Sequence, residues 1–170
     1  MNTEIDTTTQ IKKIEESIRN YKYVFNSKNT KFTWLGNWLK KESSFFKNEV
    51  DKKLNKNPNF KRGDVIKADF GVNVGSELSN IHFAIVLNSD DNTSVDNITV
   101  LPLTSKPGYK RLYLGNLLNM FKNNNKNTYA LITQITTISK KKIIKSNIKF
   151  RCNAEIMEII NKEIIRFFTK

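Results

Sequence analysis

The sequence predicts an α+β protein: a helical hairpin, then a mainly β domain of short strands, then one C-terminal helix. Before Pro58, apolar residues recur at spacings of three and four, which is the periodicity of an amphipathic helix. After Pro58 they alternate with polar residues, which is the periodicity of a half-buried strand. Several short strands without helices between them favour a barrel or sandwich. We therefore expect two parts, a helical extension over residues 1–58 and a barrel domain over residues 59–170.

Two apolar stripes predict the helical hairpin. The first stripe covers residues 11–25, and the second begins at Leu35 and continues through Trp38, Phe46 and Val50. Most lysines of the second segment lie off its apolar face, as expected for a helix with one side in water. We expect the two stripes to pack on each other or on the following domain. A partner-binding or gating role for the hairpin is the alternative.

The later part of the chain predicts a series of strands and one terminal helix. Residues 118–128 include three consecutive asparagines and have the composition of an exposed loop. Asn153 suits a helix N-cap, and Ile156, Ile160 and Ile164 follow it at helical spacing. The predicted strands cover residues 66–70, 81–87, 97–103, 111–114 and 129–135, with a short last strand within 143–150.

The charge of the chain favours a polyanionic partner. The 29 Lys and Arg residues against 16 Asp and Glu give a formal net charge of +13, which points to nucleic acid first and an anionic membrane second. No window approaches the roughly 20 apolar residues that span a bilayer, and the first residues lack the apolar run of a signal peptide. We expect a cytoplasmic protein without a membrane partner.

The cysteine and histidine content argues against a metal site. Cys152 is the single cysteine, so it cannot form an intramolecular disulfide, and we interpret it as a packed small residue. One Cys and one His leave little for a transition metal. We expect neither a metal nor another cofactor.

Four sequence blocks carry a resemblance to a known family. Residues 61–64 read Lys-Arg-Gly-Asp, residues 75–77 read Gly-Ser-Glu before an apolar strand, and residues 102–104 read Pro-Leu-Thr at a strand end. Gln134 with Ile135 forms the fourth block. With the four blocks in this order, the chain resembles the MazF/PemK (Kid) toxins of type II toxin–antitoxin systems. The resemblance covers residues 61 to about 168 and leaves the helical extension unexplained.

The resemblance implies a fold, an activity and partners. The fold would be an SH3-like small β-barrel of the MazF/PemK/CcdB type with a C-terminal helix, usually as a homodimer. The activity would be sequence-specific cleavage of single-stranded RNA, messenger or ribosomal, which inhibits translation and growth. The partners would be that RNA and a cognate antitoxin protein.

The resemblance also implies a catalytic set, with two departures. Family members place an Arg at the start of the apolar strand after the Gly-Ser-Glu turn, and a Thr or Ser at the end of the next strand. Glu77 and Thr104 match the family pattern. His82 and Phe83 stand where the family usually has Arg-Pro, and Thr136 stands in place of the family's Arg in the fourth block.

The catalytic residues we predict are His82, Thr104 and Glu77. Metal-free RNA cleavage uses the 2′-hydroxyl of the substrate as nucleophile and leaves a 2′,3′-cyclic phosphate and a 5′-hydroxyl. His82 can act as acid, base or partial cation near neutral pH. Thr104 would donate its hydroxyl to a phosphate oxygen, and Glu77 would orient His82 or accept the 2′-hydroxyl proton. The alternatives are structural: a packed histidine, a β-branched residue at a strand end and a turn carboxylate.

A second set of residues is predicted to bind the RNA. Basic side chains set affinity through phosphate contacts, an aromatic face such as Phe70 would stack a base, and Gln134 and Thr136 would read base edges. The run Lys140–Lys142 is interpreted as a solvated turn. The remaining predicted RNA-binding residues are Lys61, Arg62, Ser76, Ser105, Lys106, Lys110 and Arg111.

A binding protein on the same barrel is the rival function. Such a protein would bind nucleic acid without cutting it, or would bind a protein target such as DNA gyrase. The missing family Arg favours this alternative. The matching Glu77 and Thr104, with a histidine at position 82, favour the nuclease.

Overall fold

The computed structural model describes residues 6–51, 57–117, 126–144 and 150–169. The chain forms two N-terminal helices, a six-stranded antiparallel sheet and a C-terminal helix. The predicted α+β class is therefore confirmed. Within the described ranges the strand pairing leaves the sheet open, so the barrel is not closed by hydrogen bonds all the way round. No helix in these ranges is long and apolar enough to cross a membrane.

The N-terminal helices pack less than the apolar stripes predict. Helix α1 is Thr7–Asn26, begins at the Asp6 cap and buries none of its residues. A short 3-10 helix, Thr30–Phe32, leads to α2, which is Leu35–Val50 and buries only Leu35 and Trp38. Phe46 and Val50 are largely exposed, so the prediction that they pack inward is wrong.

The strands follow the predicted order. They are β1 Val65–Asp69, β2 Ile81–Val86, β3 Asn97–Thr104, β4 Arg111–Tyr113, β5 Tyr129–Leu131 and β6 Thr136–Ser139. Hydrogen-bonded neighbours run β1, β2, β3, β5, β4, and β6 also pairs with β3. Most of the predicted loop at 118–128 and of the predicted strand at 143–150 lies outside the described residues. Of the described residues at its ends, Ile143 bridges Ala68 and Arg151 bridges Asp64.

One predicted strand is in fact two. The prediction treats residues 129–135 as a single strand, but β5 ends at Leu131 and a 3-10 helix, Ile132–Gln134, separates it from β6. Strand β5 pairs with the end of β3, and β6 pairs with its beginning. The 3-10 helix interrupts the pairing with β3 between these two stretches. It places Gln134 beside the loop that follows β1.

Apolar side chains fill both faces of the sheet. One cluster includes Ile85, Leu101 and Leu103 and is covered by the C-terminal helix α3, Ala154–Phe168, through Ile160. The other includes Ala68, Ala84 and Val100. As predicted, Asn153 caps α3, its side-chain oxygen accepting a hydrogen bond from the Ile156 amide at 2.9 Å.

Lys140 is buried, so the prediction of a solvated turn at Lys140–Lys142 is wrong. Its ammonium lies 2.6 Å from Asp91 Oδ1, with both side chains at most 1% exposed. Lys141 pairs with Glu49 of α2 at 2.9 Å, and the Lys142 ammonium lies 5.1 Å from the centroid of the Trp38 ring. Each of the three lysines thus contacts a residue far away in the sequence, and these contacts fix the segment to the rest of the fold.

Candidate active site

His82 and Thr104 lie at the matching ends of two neighbouring strands. Strands β2 and β3 are antiparallel, with Ala84 opposite Pro102. The hydrogen-bonded pairing of these strands ends at Ala84 and Pro102, and each of His82 and Thr104 lies two residues beyond that pair. Both side chains are half-buried. The hydrogen bond between His82 Nδ1 and the Leu103 carbonyl, 3.0 Å long, places the imidazole beside the residue that precedes Thr104.

The hydrogen bond of His82 fixes its neutral tautomer. Nδ1 lies 3.0 Å from the carbonyl oxygen of Leu103. A carbonyl oxygen can only accept, so Nδ1 carries the hydrogen and Nε2 of the neutral ring keeps its lone pair. The Phe70 ring meets the imidazole edge-on, with 6.3 Å between ring centroids. The imidazole is thus held from two sides and can take a proton at Nε2.

Thr104 presents its hydroxyl at the start of a turn. Its Oγ1 accepts a hydrogen bond from the Lys106 amide at 3.3 Å, which leaves the hydroxyl proton free to be donated elsewhere. Ser105 and Lys106 are exposed. Arg111 braces the same turn, donating from Nη1 to the Lys106 carbonyl at 2.8 Å and to the Pro107 carbonyl at 3.1 Å. Thr104, with its hydroxyl, and Lys106 therefore lie at the end of β3, which neighbours the strand that carries His82.

Residues 71–80 form an ordered loop between β1 and β2, which we call the 71–80 loop. Asn73 holds it from inside, donating from Nδ2 to the carbonyls of Phe70 at 2.9 Å and Leu78 at 2.6 Å. The Leu78 amide donates to Oε1 of Gln134 at 3.3 Å. Gln134 therefore positions this loop through its oxygen, a role that differs from the predicted reading of base edges.

The loop carries Ser76 and Glu77, both exposed. No hydrogen bond or ion pair joins Glu77 to His82 within the described ranges, and Nδ1 of His82 is already bonded to Leu103. The prediction that Glu77 orients the imidazole is therefore wrong, because the Leu103 carbonyl holds the ring. The remaining role predicted for Glu77, accepting the 2′-hydroxyl proton, is open to an exposed carboxylate.

Phe70 is not available for base stacking. Its side chain is 5% exposed and belongs to the core cluster that contains Ala68 and Ala84. The prediction is wrong because the alternation that puts Ile66 and Ala68 inward also puts Phe70 inward. Its contribution is to pack against the imidazole of His82.

Lys61 and Arg62 lie at the other end of the hairpin. The Gly63 amide bonds to the carbonyl of Val86 at 2.9 Å, and Val86 is separated from His82 by roughly 13 Å of strand. The Arg62 guanidinium donates to Leu87 O and, at 2.6 Å, to Asn161 Oδ1. Arg62 therefore ties α3 to the sheet, and the phosphate contacts predicted for Lys61 and Arg62 stay a prediction for a surface away from His82.

Lys110 and Thr136 also lie outside the immediate site. The Lys110 ammonium is 5.4 Å from the centroid of Phe167 in α3. Thr136 is exposed and pairs with Val100, which precedes Thr104 by roughly 13 Å along β3. An RNA chain crossing the sheet can reach both, but neither touches the groups around His82.

The N-terminal helices contribute side chains that the sequence did not predict for this region. Lys31 donates to the carbonyl of Gly75 in the 71–80 loop. Lys41 pairs with Asp69 at 2.7 Å. The sequence carried little signal for these contacts: Lys41 lies off the second apolar stripe and Lys31 lies between the two stripes. Neither position says what the lysine faces. Within the described ranges, no three His, Cys, Asp or Glu side chains gather as a metal-binding group.

Comparison with solved structures assigns the fold to the MazF class. The structure matches the crystal structure of MazF (Form-I) from Deinococcus radiodurans with a TM-score of 0.52 and 13% identity, covering 66% of this chain and 99% of that chain. A mycobacterial endoribonuclease in complex with its cognate antitoxin matches with a TM-score of 0.43 and 14% identity, covering 66% of this chain and 93% of that chain. A comparison with curated protein sequences gives no significant match.

The family assignment follows from the sequence of the sheet domain. Residues 61–168 match the model of the PemK-like, MazF-like toxins of type II toxin–antitoxin systems. The matched segment is more than half of the chain, so the protein belongs to this family. The predicted resemblance is thereby confirmed, and α1 and α2 precede the matched segment.

Proposed function

We propose that this protein is a toxin that cuts single-stranded RNA by metal-independent transesterification. The observation that carries the proposal is the hydrogen bond that holds His82 to Leu103, the residue before Thr104, and leaves Nε2 available as a base. The Thr104 hydroxyl proton is available for donation at the same end of the strand. Membership of the PemK-like, MazF-like family supports it. The products would be a 2′,3′-cyclic phosphate and a 5′-hydroxyl end.

His82 acts as the base in this mechanism. Its Nε2 removes the proton of a 2′-hydroxyl, the 2′-oxygen bonds to the adjacent phosphorus, and the bond from phosphorus to the 5′-oxygen breaks. The departing 5′-oxygen takes a proton from water. The Leu103 carbonyl holds the Nδ1 proton throughout, which stabilises the imidazolium that forms.

Thr104 and Lys106 stabilise the charge that develops on the phosphate. The Thr104 hydroxyl donates to a non-bridging oxygen, and the exposed Lys106 supplies positive charge from the same turn. A lysine would thus provide the permanent charge that family members obtain from the Arg replaced here by His82. Glu77, exposed on the adjoining loop, would serve as a second proton acceptor.

The same proposal includes the partners. A type II toxin is restrained by an antitoxin, so we expect a cognate antitoxin protein that covers the cleavage site. We expect the toxin to act in the cytoplasm, as a homodimer, on messenger or ribosomal RNA.

The test is cleavage of a long single-stranded RNA by the purified full-length protein in excess chelator. His82→Ala should slow cleavage by about 10²–10⁴-fold, the usual worth of general acid–base catalysis. Thr104→Val should cost about 10²–10³-fold, as for loss of one charge-stabilising donor, whereas Thr104→Ser should retain most of the rate. Thr99→Val is the matched control, because Thr99 lies in the same strand and bonds to Thr137 rather than facing His82.

The ends of the fragments decide the chemistry. Cyclic phosphates at defined sequences, lost in His82→Ala and Thr104→Val but not in Thr99→Val, would support the proposal. RNA that stays intact yet binds at low salt would contradict it and favour the binding protein. Cleavage that survives His82→Ala would show that another group is the base.

A further inference from the structure

A cleft lies between α2 and the 71–80 loop, beside the end of the β1–β2 hairpin. Its volume is about 450 Å³, within the range of about 300–1,000 Å³ that is usual for small-ligand sites. Both tryptophans of the chain line it. The helix side contributes Trp34, Asn37 and Trp38, and the sheet side contributes Asp69, Gly71 and Ile81. Because α2 precedes the matched family segment, the helix side of this cleft lies outside the family domain.

We propose that the cleft binds one base of single-stranded RNA, stacked on Trp34. The inference rests on the proposed function and assigns a second contact to the same substrate. Trp34 is 57% exposed at the mouth of the cleft, whereas Trp38 is 8% exposed. An exposed indole beside a cleft offers a flat apolar face, and any base can stack on it. The amide of Asn37 adds a donor and an acceptor for a base edge.

The position of the cleft connects it to the catalytic pair. In the β1–β2 register, Asp69 pairs with Ile81, and the next pair is Ala68 with His82. The cleft is thus one residue, about 3.3 Å of strand, from the proposed base. Ile81, which lines the cleft, and His82 are neighbours in one strand, so their side chains point to opposite faces of the sheet. An RNA whose reacting phosphate lies at His82 would therefore bend around the end of the hairpin. Its flanking base would then lie in the cleft.

The floor of the cleft is preformed. A Cβ at Gly71 would lie only 2.6 Å from Cε2 of Trp38, so the indole rests directly on the glycine backbone. The Lys142 ammonium lies 5.1 Å from the centroid of the same ring. Trp38 is therefore fixed, and Trp34 is the indole that is free to contact a ligand. The Lys41–Asp69 ion pair, 2.7 Å apart, joins α2 to the end of β1 at the rim of the cleft and leaves this part of the rim without net charge.

The tryptophan content makes the proposal directly measurable. Since both tryptophans line the cleft, intrinsic tryptophan fluorescence reports its occupancy. The full-length protein is titrated with a short single-stranded 2′-O-methyl RNA of randomised sequence, which cannot be cut because its nucleophile is blocked. Affinity is measured in parallel from the anisotropy of the labelled RNA. Inorganic polyphosphate serves as the probe for charge alone.

The RNA should quench the tryptophan emission, and polyphosphate should compete for binding without quenching. Trp34→Ala should weaken binding by roughly tenfold or more, the usual worth of one stacked base, and Trp34→Phe should retain most of the affinity. The matched control is Tyr23→Ala, which removes a strongly exposed aromatic of α1 that does not line the cleft. RNA binding with unchanged emission and unchanged affinity in Trp34→Ala would overturn the proposal.

Failure of the cleft and failure of the nuclease can be told apart. RNA that is bound with quenching but, in unblocked form, never cut would leave the cleft standing and refute the proposed function. RNA that is cut with the same KM and kcat by wild type and Trp34→Ala would refute the cleft and leave the nuclease standing. RNA that is neither bound nor cut would refute both.

Discussion

Removal of the buried charge of Lys140 should destabilise the fold more than any single surface change. Its ammonium lies 2.6 Å from Asp91 Oδ1, and the two side chains are 0% and 1% exposed. It also donates to the Asn92 carbonyl at 2.8 Å. Asp91 Oδ1 has no hydrogen bond from any other described residue. Lys140→Met keeps the apolar stem but leaves a buried carboxylate without its cation, with the hydrogen bond from the Phe60 amide to Oδ2 at 2.9 Å remaining.

The expected loss is about 3–5 kcal/mol, the usual cost of breaking a buried pair by removing one partner. Because domains are stable by about 5–15 kcal/mol, this is a large part of the total. Lys141→Met is the matched control: its partner Glu49 lies 2.9 Å away, the two side chains are 27% and 54% exposed, and such a pair contributes about 0–1 kcal/mol.

Urea unfolding followed by circular dichroism measures both variants. Adding Asp91→Asn to Lys140→Met should recover part of the loss, because the uncompensated charge is then gone. Equal unfolding midpoints for Lys140→Met and Lys141→Met would refute the reasoning. They would mean that the buried ion pair contributes no more to the free energy of unfolding than the exposed one.

Two further predictions concern the loop and the thiol. Gly71→Ala should lower the free energy of unfolding, measured in urea, by roughly 1–3 kcal/mol more than Gly75→Ala. Both glycines have positive φ, but only at Gly71 would the added methyl group meet the Trp38 ring, at 2.6 Å. Equal losses would show that the Trp38 ring moves aside at no cost. Burial raises the pKa of the Cys152 thiol from 9.0 to about 11, so a thiol reagent should react far more slowly with the folded than with the urea-unfolded protein at about pH 8. The unfolded thiol ionises first, so stability should be full below pH 9 and fall as the pH rises from 9 to 11; an alkaline unfolding profile unchanged in Cys152→Ala would contradict this.

The sequence could predict what depends on local pattern. Alternation in residues 66–70 identified β1, and Asn153 identified the start of α3, because a strand face and a helix cap are each specified by a few neighbouring residues. The pairing of His82 with Thr104 was predictable only through the family blocks. Residues so far apart in sequence meet because of strand register, which no short window contains.

Phe70 shows how a prediction can conflict with its own evidence. The alternation that identified β1 places Phe70 on the same face as Ile66 and Ala68, so its burial was implied by the argument for the strand. Assigning it to base stacking relied on residue type and set the pattern aside. An aromatic residue predicted to bind a ligand has to lie off the inward face, as Trp34 does at the start of α2.

The partners of Lys140 and Trp38 could not be predicted, because they are set by long-range contacts. A run of three lysines is usually solvated, and only the fold brings Asp91 beneath the first of them. The second apolar stripe correctly marked Trp38 as buried, but its partner, Gly71, carries no side chain that a hydrophobic pattern can register. Contacts made by backbone, or by opposite charges in the interior, leave no periodic signal.

The 71–80 loop joins the helical extension to the strand that carries His82, the proposed base. On one side it bears Glu77 and is fastened to Gln134 through the Leu78 amide; on the other it is fastened to the extension by Lys31 at Gly75. A displacement of α2 would therefore move the loop that flanks His82. Since the family model begins after α2, the extension adds to the common domain a support for this loop and one wall of the cleft, so both the rate and the affinity for RNA should depend on residues that the common domain lacks.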